Sequence, residues 1–592
     1  MLVPVMVAMW ASACGAEAAT SVEVRVPDGP HPCVFLTPDE LDAMRARAGS
    51  LDWAKPIREK TLQAADSLVA ATLDIPHEGG QWSHWYSCKK DGGRLKAESP
   101  TRHVCTVCGE VYTGWPYDQV YVASRHRHWL GGIESLGLAY ALEGKQEYAD
   151  RAREILLTYA SFYETLAKHD VRGNKGRSGG RLLAQTLDEA TTLCETCVGY
   201  DLLYDAPCFS EADREAIADH LLRPMVSTIR EHPAGISNWQ SWHNAAVASA
   251  GFVLRDAALV DWAINDPENG FLMQMDKSVL DNGMWYEGAP SYHWYALSAH
   301  LYLLEGAARA GINLYAIPAV HRMFDGPMEQ LFPDGTFPAI NDSGRSSIQG
   351  VRSLYEVAYR RFADPNYAQF LTPRDSVWAL LWGVDTVPDT GGRALHLATS
   401  NSRAQGLAVL RDKANETAIF FDYSQRHGGH IQPARLGIIL YAHGDERLVD
   451  PGRLPYGNPM HGGWYRQTLA HNTVVVNQAS QGGAPGEFKE FQAESDWALA
   501  RATCPGAYEG VTLDRTVFLC GGLIVDVFQC AAQAAATFDL PLHWHGELDG
   551  LPAGAAVEAL GDANGYQYLK DIRRLDGPVP GFDVKTGEDT AI

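Results

Sequence analysis

Two stretches far apart in the chain carry side chains suited to one kind of reaction: Ser237-Asn238-Trp239-Gln240-Ser241-Trp242-His243-Asn244 and Glu287-Gly288-Ala289-Pro290-Ser291-Tyr292-His293. A third set comes from a differently patterned region: His427-Gly428-Gly429-His430, then Asp450-Pro451-Gly452 and Ala470-His471-Asn472-Thr473. Asn, Tyr and His are the types needed to remove a weakly acidic proton from a carbon beside a carboxylate. The C5 proton of a uronate leaves only if its carboxylate is neutralised, because the enolate-like intermediate puts a second negative charge on that group. Neutral donors aimed at those oxygens stabilise that charge. A phenolate whose pKa is lowered by nearby Arg or His takes the proton, and the resulting phenol returns one to the departing O4. In this scheme Tyr292 is base and acid when both atoms lie on one face of the sugar, and His243 or His430 is the base when they do not. The expected chemistry is β-elimination in a 4-linked uronic-acid polysaccharide.

Each residue alone has a blander reading. A Tyr in an apolar helix, such as Tyr295, is usually core, an Asn before Trp is usually a helix cap, and His461 and His471 are more often structural. Their combination in order lifts Asn238, Tyr292 and His430 above these. A glycoside hydrolase needs two carboxylates across a cleft; Glu287 and Asp342 are the attractive acids, and neither comes with a partner. A non-catalytic carbohydrate-binding protein is the alternative of another class, favoured by 16 tryptophans.

These residues sit on two kinds of element. From Leu36 to about Leu380 the apolar period is helical: Thr37 caps a helix with Pro38 in its first turn, and Trp129, Ile133, Leu136 and Tyr140 fall at helical steps before Gly144. Tyr148 to Tyr163 forms the returning helix. Further helical runs fall at 182–203, 210–231, 245–260, 292–310 and 348–362. After Gly391-Gly392 the period becomes two, with strands expected at 406–411, 417–423, 436–442, 472–477, 516–519 and 523–528. Helices followed by strands imply α+β multidomain organisation rather than a mixed α/β sheet. The expected domains are 32–385 and 400–592, with the boundary near 385–404, and the strand pattern stops abruptly at Ile592, which reads as truncation.

At 592 residues, two or more cores are needed. The formal charge of −23 argues against nucleic acid as the main partner, yet an acidic polysaccharide fits if cations are gathered locally. They are, in Arg172, Lys175, Arg177 and Arg181, and in Arg125-His126-Arg127-His128. Residues 1–19 are apolar and end in small residues, which reads as a signal peptide and export. No later run is long enough to span a bilayer. Nothing calls for an organic cofactor or sets an oligomeric state. Cys88, Cys105 and Cys108 stand apart from the other cysteines: a Cys-x-x-Cys-Gly knuckle with an upstream Cys suggests a zinc ribbon inserted at 84–114, with His84, Asp91 or His103 as fourth ligand. A disulfide plus a free thiol is the other reading of those three.

Taken in order, these motifs resemble the heparinase II/III-like and oligoalginate-lyase-like polysaccharide lyases over nearly the whole chain. The resemblance implies an incomplete α/α toroid followed by an antiparallel β-sandwich, with the substrate cleft between them. It implies that Asn238 neutralises the carboxylate with His243 close behind, that Tyr292 is the catalytic tyrosine with Tyr295 as alternate, and that His430 is the first histidine of a His-x-His motif. It places Gln432 where the second histidine stands, with Asp450 and His471 as the other ligands of an interface metal, so that manganese, calcium or zinc there would meet an amide oxygen. Arg125, Arg177, Arg181, Gln185, Trp242, Tyr295, Tyr456 and Trp464 are the expected substrate contacts. The basic loop favours a sulfated glycosaminoglycan such as heparan sulfate, chondroitin sulfate or heparin, with hyaluronan in the same class and alginate as the alternative.

Overall fold

The computed structural model describes residues 21–388, 397–412, 414, 416–424, 429–549, 554–575 and 583–585; the apolar segment 1–19 and His427-Gly428 lie outside them. Helices run from Pro38–Ser50 to Val377–Trp382, and strands dominate from Ser400 onward. Local chemistry sets the helix ends. Thr37 and Glu40 form a capping box around Pro38, Ser210 and Asp213 form another, and Gly144 in the left-handed region ends Tyr117–Glu143. Helices Tyr117–Glu143 and Thr186–Leu203 cross nearly backbone to backbone: a Cβ on Gly137 would lie 2.5 Å from the Gly199 carbonyl oxygen. Only glycine allows that approach.

The helix Asn238–Val253 lies at the centre of the toroid and is buried at every position but Trp239. It starts earlier than the expected run at 245, because the Ser237 hydroxyl caps the Gln240 amide, and stops before Asp256, which caps Ala257–Asn265. Helix Pro290–Arg309 packs against it and carries Tyr292 in its first turn.

The β region is a sandwich of two antiparallel sheets. One is five-stranded, in the order Asp445–Leu448, Gly437–Ala442, Thr417–Asp422, Leu407–Arg411, Ser400–Ser402; the other is four-stranded, running sequentially from Glu487–Ala493 to Leu523–Ala532. Two of its strands, Glu487–Ala493 and Trp497–Tyr508, are not among the expected ones, and the expected 472–477 strand is only Val475–Val476. Val511–Cys520 alternates inward and outward, whereas Leu407–Arg411 is buried throughout. The difference is positional. Leu410, Ile419 and Leu440 face the second sheet, while Val409, Phe420 and Tyr441 face Phe332 and Ile340 of the helical part. A sheet covered on both faces reads as a continuous apolar run.

Residues 84–114 form a small three-stranded antiparallel ribbon, Leu95–Ser99, Arg102–Cys105 and Val111–Tyr112, on the helical side of the domain junction.

Candidate active site

A cleft of about 430 Å³ opens where the two domains meet. The capped start of the central helix supplies Asn238 and Trp239, and Pro290–Arg309 supplies Ser291, Tyr292 and Tyr295. The ribbon side supplies Trp82 and His84, and β-domain loops supply His430, Arg453 and Tyr456; Gln185 and Asp188 complete the wall.

The phenol oxygens of Tyr292 and Tyr456 meet across the interface at 2.5 Å. Tyr456 Oη lies 3.0 Å from His430 Nδ1 and donates to Asp342 Oδ2 at 3.1 Å. The His430 ring stacks on Tyr292 with centroids 3.5 Å apart. Tyr292, Tyr456 and His430 thus form a hydrogen-bonded and stacked cluster on the cleft wall that ends on buried Asp342. Burial pushes the Tyr292 pKa above the usual phenol value, and the Tyr456 hydrogen bond and the Arg453 charge only partly offset this. The expected depressed phenol is therefore not found, and Tyr292 rests as a neutral phenol at neutral pH.

Asp342, fully buried, anchors the network. It accepts from Arg466 Nη1 at 3.0 Å and Gln432 Nε2 at 3.0 Å, and lies 3.2 Å from His430 Nδ1. Burial alone would raise its pKa; His430, Arg466 and Gln432 outweigh that and hold it low. Its backbone N–H donates to the His430 carbonyl at 3.0 Å, which pins the histidine loop to the helical domain.

Asn238 is held from behind by Glu287. Its Nδ2 donates to both carboxylate oxygens, at 2.9 and 3.1 Å, and Trp285 Nε1 donates to the same carboxylate at 2.6 Å. With Nδ2 fixed on an acceptor, the amide orientation follows from the network. Glu287 and Asp342, the two acids weighed for hydrolysis, are both committed to protein donors. Asp188, paired with Arg127 at 2.9 Å, is the single carboxylate among the described lining residues, so the opposed pair of a glycosidase is not there.

Other expected site residues fall outside the cleft wall. His243 is fully buried behind it, edge-on to His232 and Trp239; burial drops its pKa to about 3, so it stays neutral and carries no proton to a sugar. Trp242 packs on Tyr295 and Tyr302 in the core, and Trp464 packs edge-on to His543. Arg125 pairs with Asp74, Arg177 donates to the Glu231 carbonyl at 3.1 Å, and Arg181 donates to the Leu166 carbonyl at 2.6 Å. These guanidinium groups brace the helical domain. Gln185, Tyr295 and Tyr456 do line the cleft.

Trp82, Trp239 and Arg453 line the cleft without having been expected to, and His84, expected only as a zinc ligand, lines it too. The aromatic run Trp82-Ser83-His84-Trp85-Tyr86 and the place of Arg453 just after Asp450-Pro451-Gly452 were the available signals. A second cleft, about 500 Å³, lies on the outer helical face. There Arg223 pairs with Asp256 and Arg230 stacks on Trp262, and it holds no proton relay.

At the expected interface metal site Gln432 Nε2 donates to Asp342 Oδ1 and the Gly452 carbonyl, both at 3.0 Å, and His471 Nδ1 lies 2.7 Å from Asp450 Oδ2. That leaves Gln432 Oε1 and His471 Nε2 buried without a partner, an amide oxygen and an imidazole nitrogen of the kind that would hold an oxygen-preferring ion with Asp450.

Similarity to known proteins gives the class: a polysaccharide lyase, that is, a carbon–oxygen lyase. Residues 111–337 match the alginate lyase family and residues 398–574 the heparinase II/III-like C-terminal family, so the chain is a polysaccharide lyase that joins these two domains. It is 29% identical over 520 residues to an alginate lyase of Stenotrophomonas maltophilia, covering 77% of this chain and 68% of that one. It is 27% identical over 508 residues to an exo-oligoalginate lyase of Saccharophagus degradans, covering 76% and 68%. Among solved structures it shares its fold with a heparinase III gene product (TM-score 0.58, 16% identity, 84% of this chain and 75% of that one). The heparan sulfate lyase HepC of Pedobacter heparinus is similar (TM-score 0.55, 15% identity, 84% and 74%). Among the described residues no helix is long and apolar enough to cross a membrane.

Proposed function

We propose that this lyase cleaves short stretches of unsulfated, 4-linked uronate chain of the alginate type by β-elimination, with Tyr292 as the proton carrier. The observation that carries the chemistry is the 2.5 Å contact between Tyr292 and Tyr456, continued to Asp342. As the substrate carboxylate docks beside Asn238, the Tyr292 proton passes to Tyr456 and the Tyr456 proton to the Asp342 carboxylate to which it already donates, beside His430 Nδ1 and Arg466. The Tyr292 phenolate then takes the C5 proton: the C5–H bond breaks, a phenol O–H forms, the C4–C5 double bond forms and the C4–O4 bond breaks. O4 leaves with a proton from the tyrosine pair. One Nδ2 hydrogen of Asn238 stays on Glu287 and the other turns to the substrate carboxylate as charge builds there, where a held donor gives most.

Two observations favour an unsulfated substrate. Arg453 is the one guanidinium among the described lining residues, and Arg177 and Arg181 of the loop that favoured sulfate are spent on backbone carbonyls. The curated relatives are an alginate and an exo-oligoalginate lyase. A volume of about 430 Å³ is at the small end of ligand pockets, about 300–1,000 Å³, which suits a few sugar units. Export, suggested by the apolar start of the sequence, would bring the enzyme to such chains. The test is a panel of alginate, polymannuronate, polyguluronate, hyaluronan, chondroitin sulfate and heparan sulfate, read by ultraviolet absorbance of the conjugated enoate. Rates highest on alginate-type chains are expected. Turnover confined to sulfated chains would return the substrate to the glycosaminoglycans, and sugar release without absorbance would mean hydrolysis.

A further inference from the structure

The ribbon at residues 84–114 contains two turns that are copies of one another. In Cys88-Lys89-Lys90-Asp91-Gly92 and Cys105-Thr106-Val107-Cys108-Gly109, the closing glycine has φ +73° and +74°. In each, its N–H donates to the carbonyl of the opening cysteine, at 2.9 and 3.1 Å. In each, the amide two residues on points at the first sulfur: Lys90 N to Cys88 Sγ and Val107 N to Cys105 Sγ, both 3.4 Å. Asp91 therefore occupies the position that Cys108 occupies in the other turn.

The four side chains converge. Each offers one ligand atom, and all lie within 4.8 Å of one another. Cys88 and Cys108 sulfurs are 3.7 Å apart, and Cys105 Sγ is 3.4 Å from Asp91 Oδ1. A tetrahedral ion with Zn–S of about 2.3 Å and Zn–O of about 2.0 Å requires ligand separations of about 3.5–3.8 Å. A disulfide requires about 2.05 Å. The Tyr112 hydroxyl lies 3.1 Å from Cys88 Sγ, placed to support a thiolate as an outer hydrogen-bond donor does at metal sites.

We propose that Cys88, Asp91, Cys105 and Cys108 bind one structural zinc ion, and that this ion locks the wall of the cleft formed by the ribbon and the loop bearing Tyr456. Three thiolates and a carboxylate fill a tetrahedron, so no position is left for a reacting water. The coupling to the cleft is direct. Asn458 Nδ2 donates to the Gly92 carbonyl at 3.2 Å, immediately beside ligand Asp91. Tyr456 N donates to His84 Nδ1 at 3.2 Å, and the Tyr456 ring lies parallel to Trp82 at 6.0 Å. The site does not depend on the substrate reading.

The test is elemental analysis of the purified full-length protein, together with intact mass under non-reducing conditions. One zinc per chain and no cysteine oxidation are expected. Protein produced with cobalt should show thiolate-to-cobalt charge-transfer bands. Asp91→Cys should keep the metal, while Asp91→Ala should lose most of it and lower the melting temperature. Should the alanine variant not fold, the cobalt spectrum of the parent and the zinc content of Asp91→Cys still decide. A mass two hydrogens low with a Cys88–Cys108 crosslink, or substoichiometric zinc in well-folded parent, would overturn the proposal.

Discussion

Changing Tyr456 to Phe, alone and together with Tyr292→Phe, tests whether the two phenols act as one device. Tyr292→Phe deletes the proton carrier and almost no volume. General acid–base groups contribute about 10²–10⁴-fold, so kcat/KM should fall by that factor, about 3–5 kcal/mol at 1.36 kcal/mol per tenfold. Tyr456→Phe leaves the carrier but removes its partner at 2.5 Å and the path to Asp342. A hydrogen bond to a charged group is worth about 1.5–3 kcal/mol, so the loss should be roughly 10–150-fold at neutral pH. The Tyr456 bond lowers the Tyr292 pKa, so its removal raises it. Because the rate rises with pH until Tyr292 is deprotonated, the alkaline limb of the Tyr456→Phe profile must move to higher pH, and Tyr292→Phe must lack that limb. The double variant should be no slower than Tyr292→Phe within about 0.5 kcal/mol, since contacting residues are not additive. The assay is initial enoate absorbance across pH, with melting temperatures alongside; a lost hydroxyl should cost stability only about 0.5–1.5 kcal/mol. Losses that multiply in the double variant would refute the shared relay, and an undamaged Tyr292→Phe would remove the mechanism.

Asn238→Ala should lower kcat by about 10²–10³-fold, the usual cost of removing one donor to a developing oxyanion, with less effect on KM; a pure KM change would make Asn238 a binding residue only. Asp342 has a depressed pKa, so its contribution to stability is present above its unfolded value of about 3.9 and is lost as pH falls through the lower folded value. The melting-temperature gap between parent and Asp342→Asn should therefore shrink below about pH 4, and a gap constant to pH 2 would mean that its charge is not what matters. Glu305 is fully buried between Arg309 and Arg361, with Tyr315 donating at 2.7 Å, and these partners overcome burial to hold its pKa at about 2. Glu305→Gln should destabilise by about 3–5 kcal/mol, because it strands buried guanidinium groups, while folded protein keeps its kcat; chemical denaturation measures the first and enoate absorbance the second.

The sequence determined what depends on near neighbours. Helix period, capping at Thr37, the change of period after Gly391-Gly392 and the residue types of the relay were legible, because periodicity and hydrogen-bonding capacity are local properties. The repeated Cys-x-x-ligand-Gly spacing was legible in part: the three cysteines stood out, and geometry picked Asp91 from three candidates. Tertiary structure alone decided which polar groups face the cleft. Arg125, Arg177 and Arg181 looked like anion binders but were claimed by Asp74 and by backbone carbonyls, while Arg453 and Trp82 arrived from opposite sides of the domain junction. It also decided the charge state of Tyr292. A phenol's pKa reflects the solvent it loses and the charges brought within a few ångströms, and the groups that offset burial at Tyr292, namely Tyr456 and Arg453, lie more than a hundred positions away, a distance no spacing along the chain encodes.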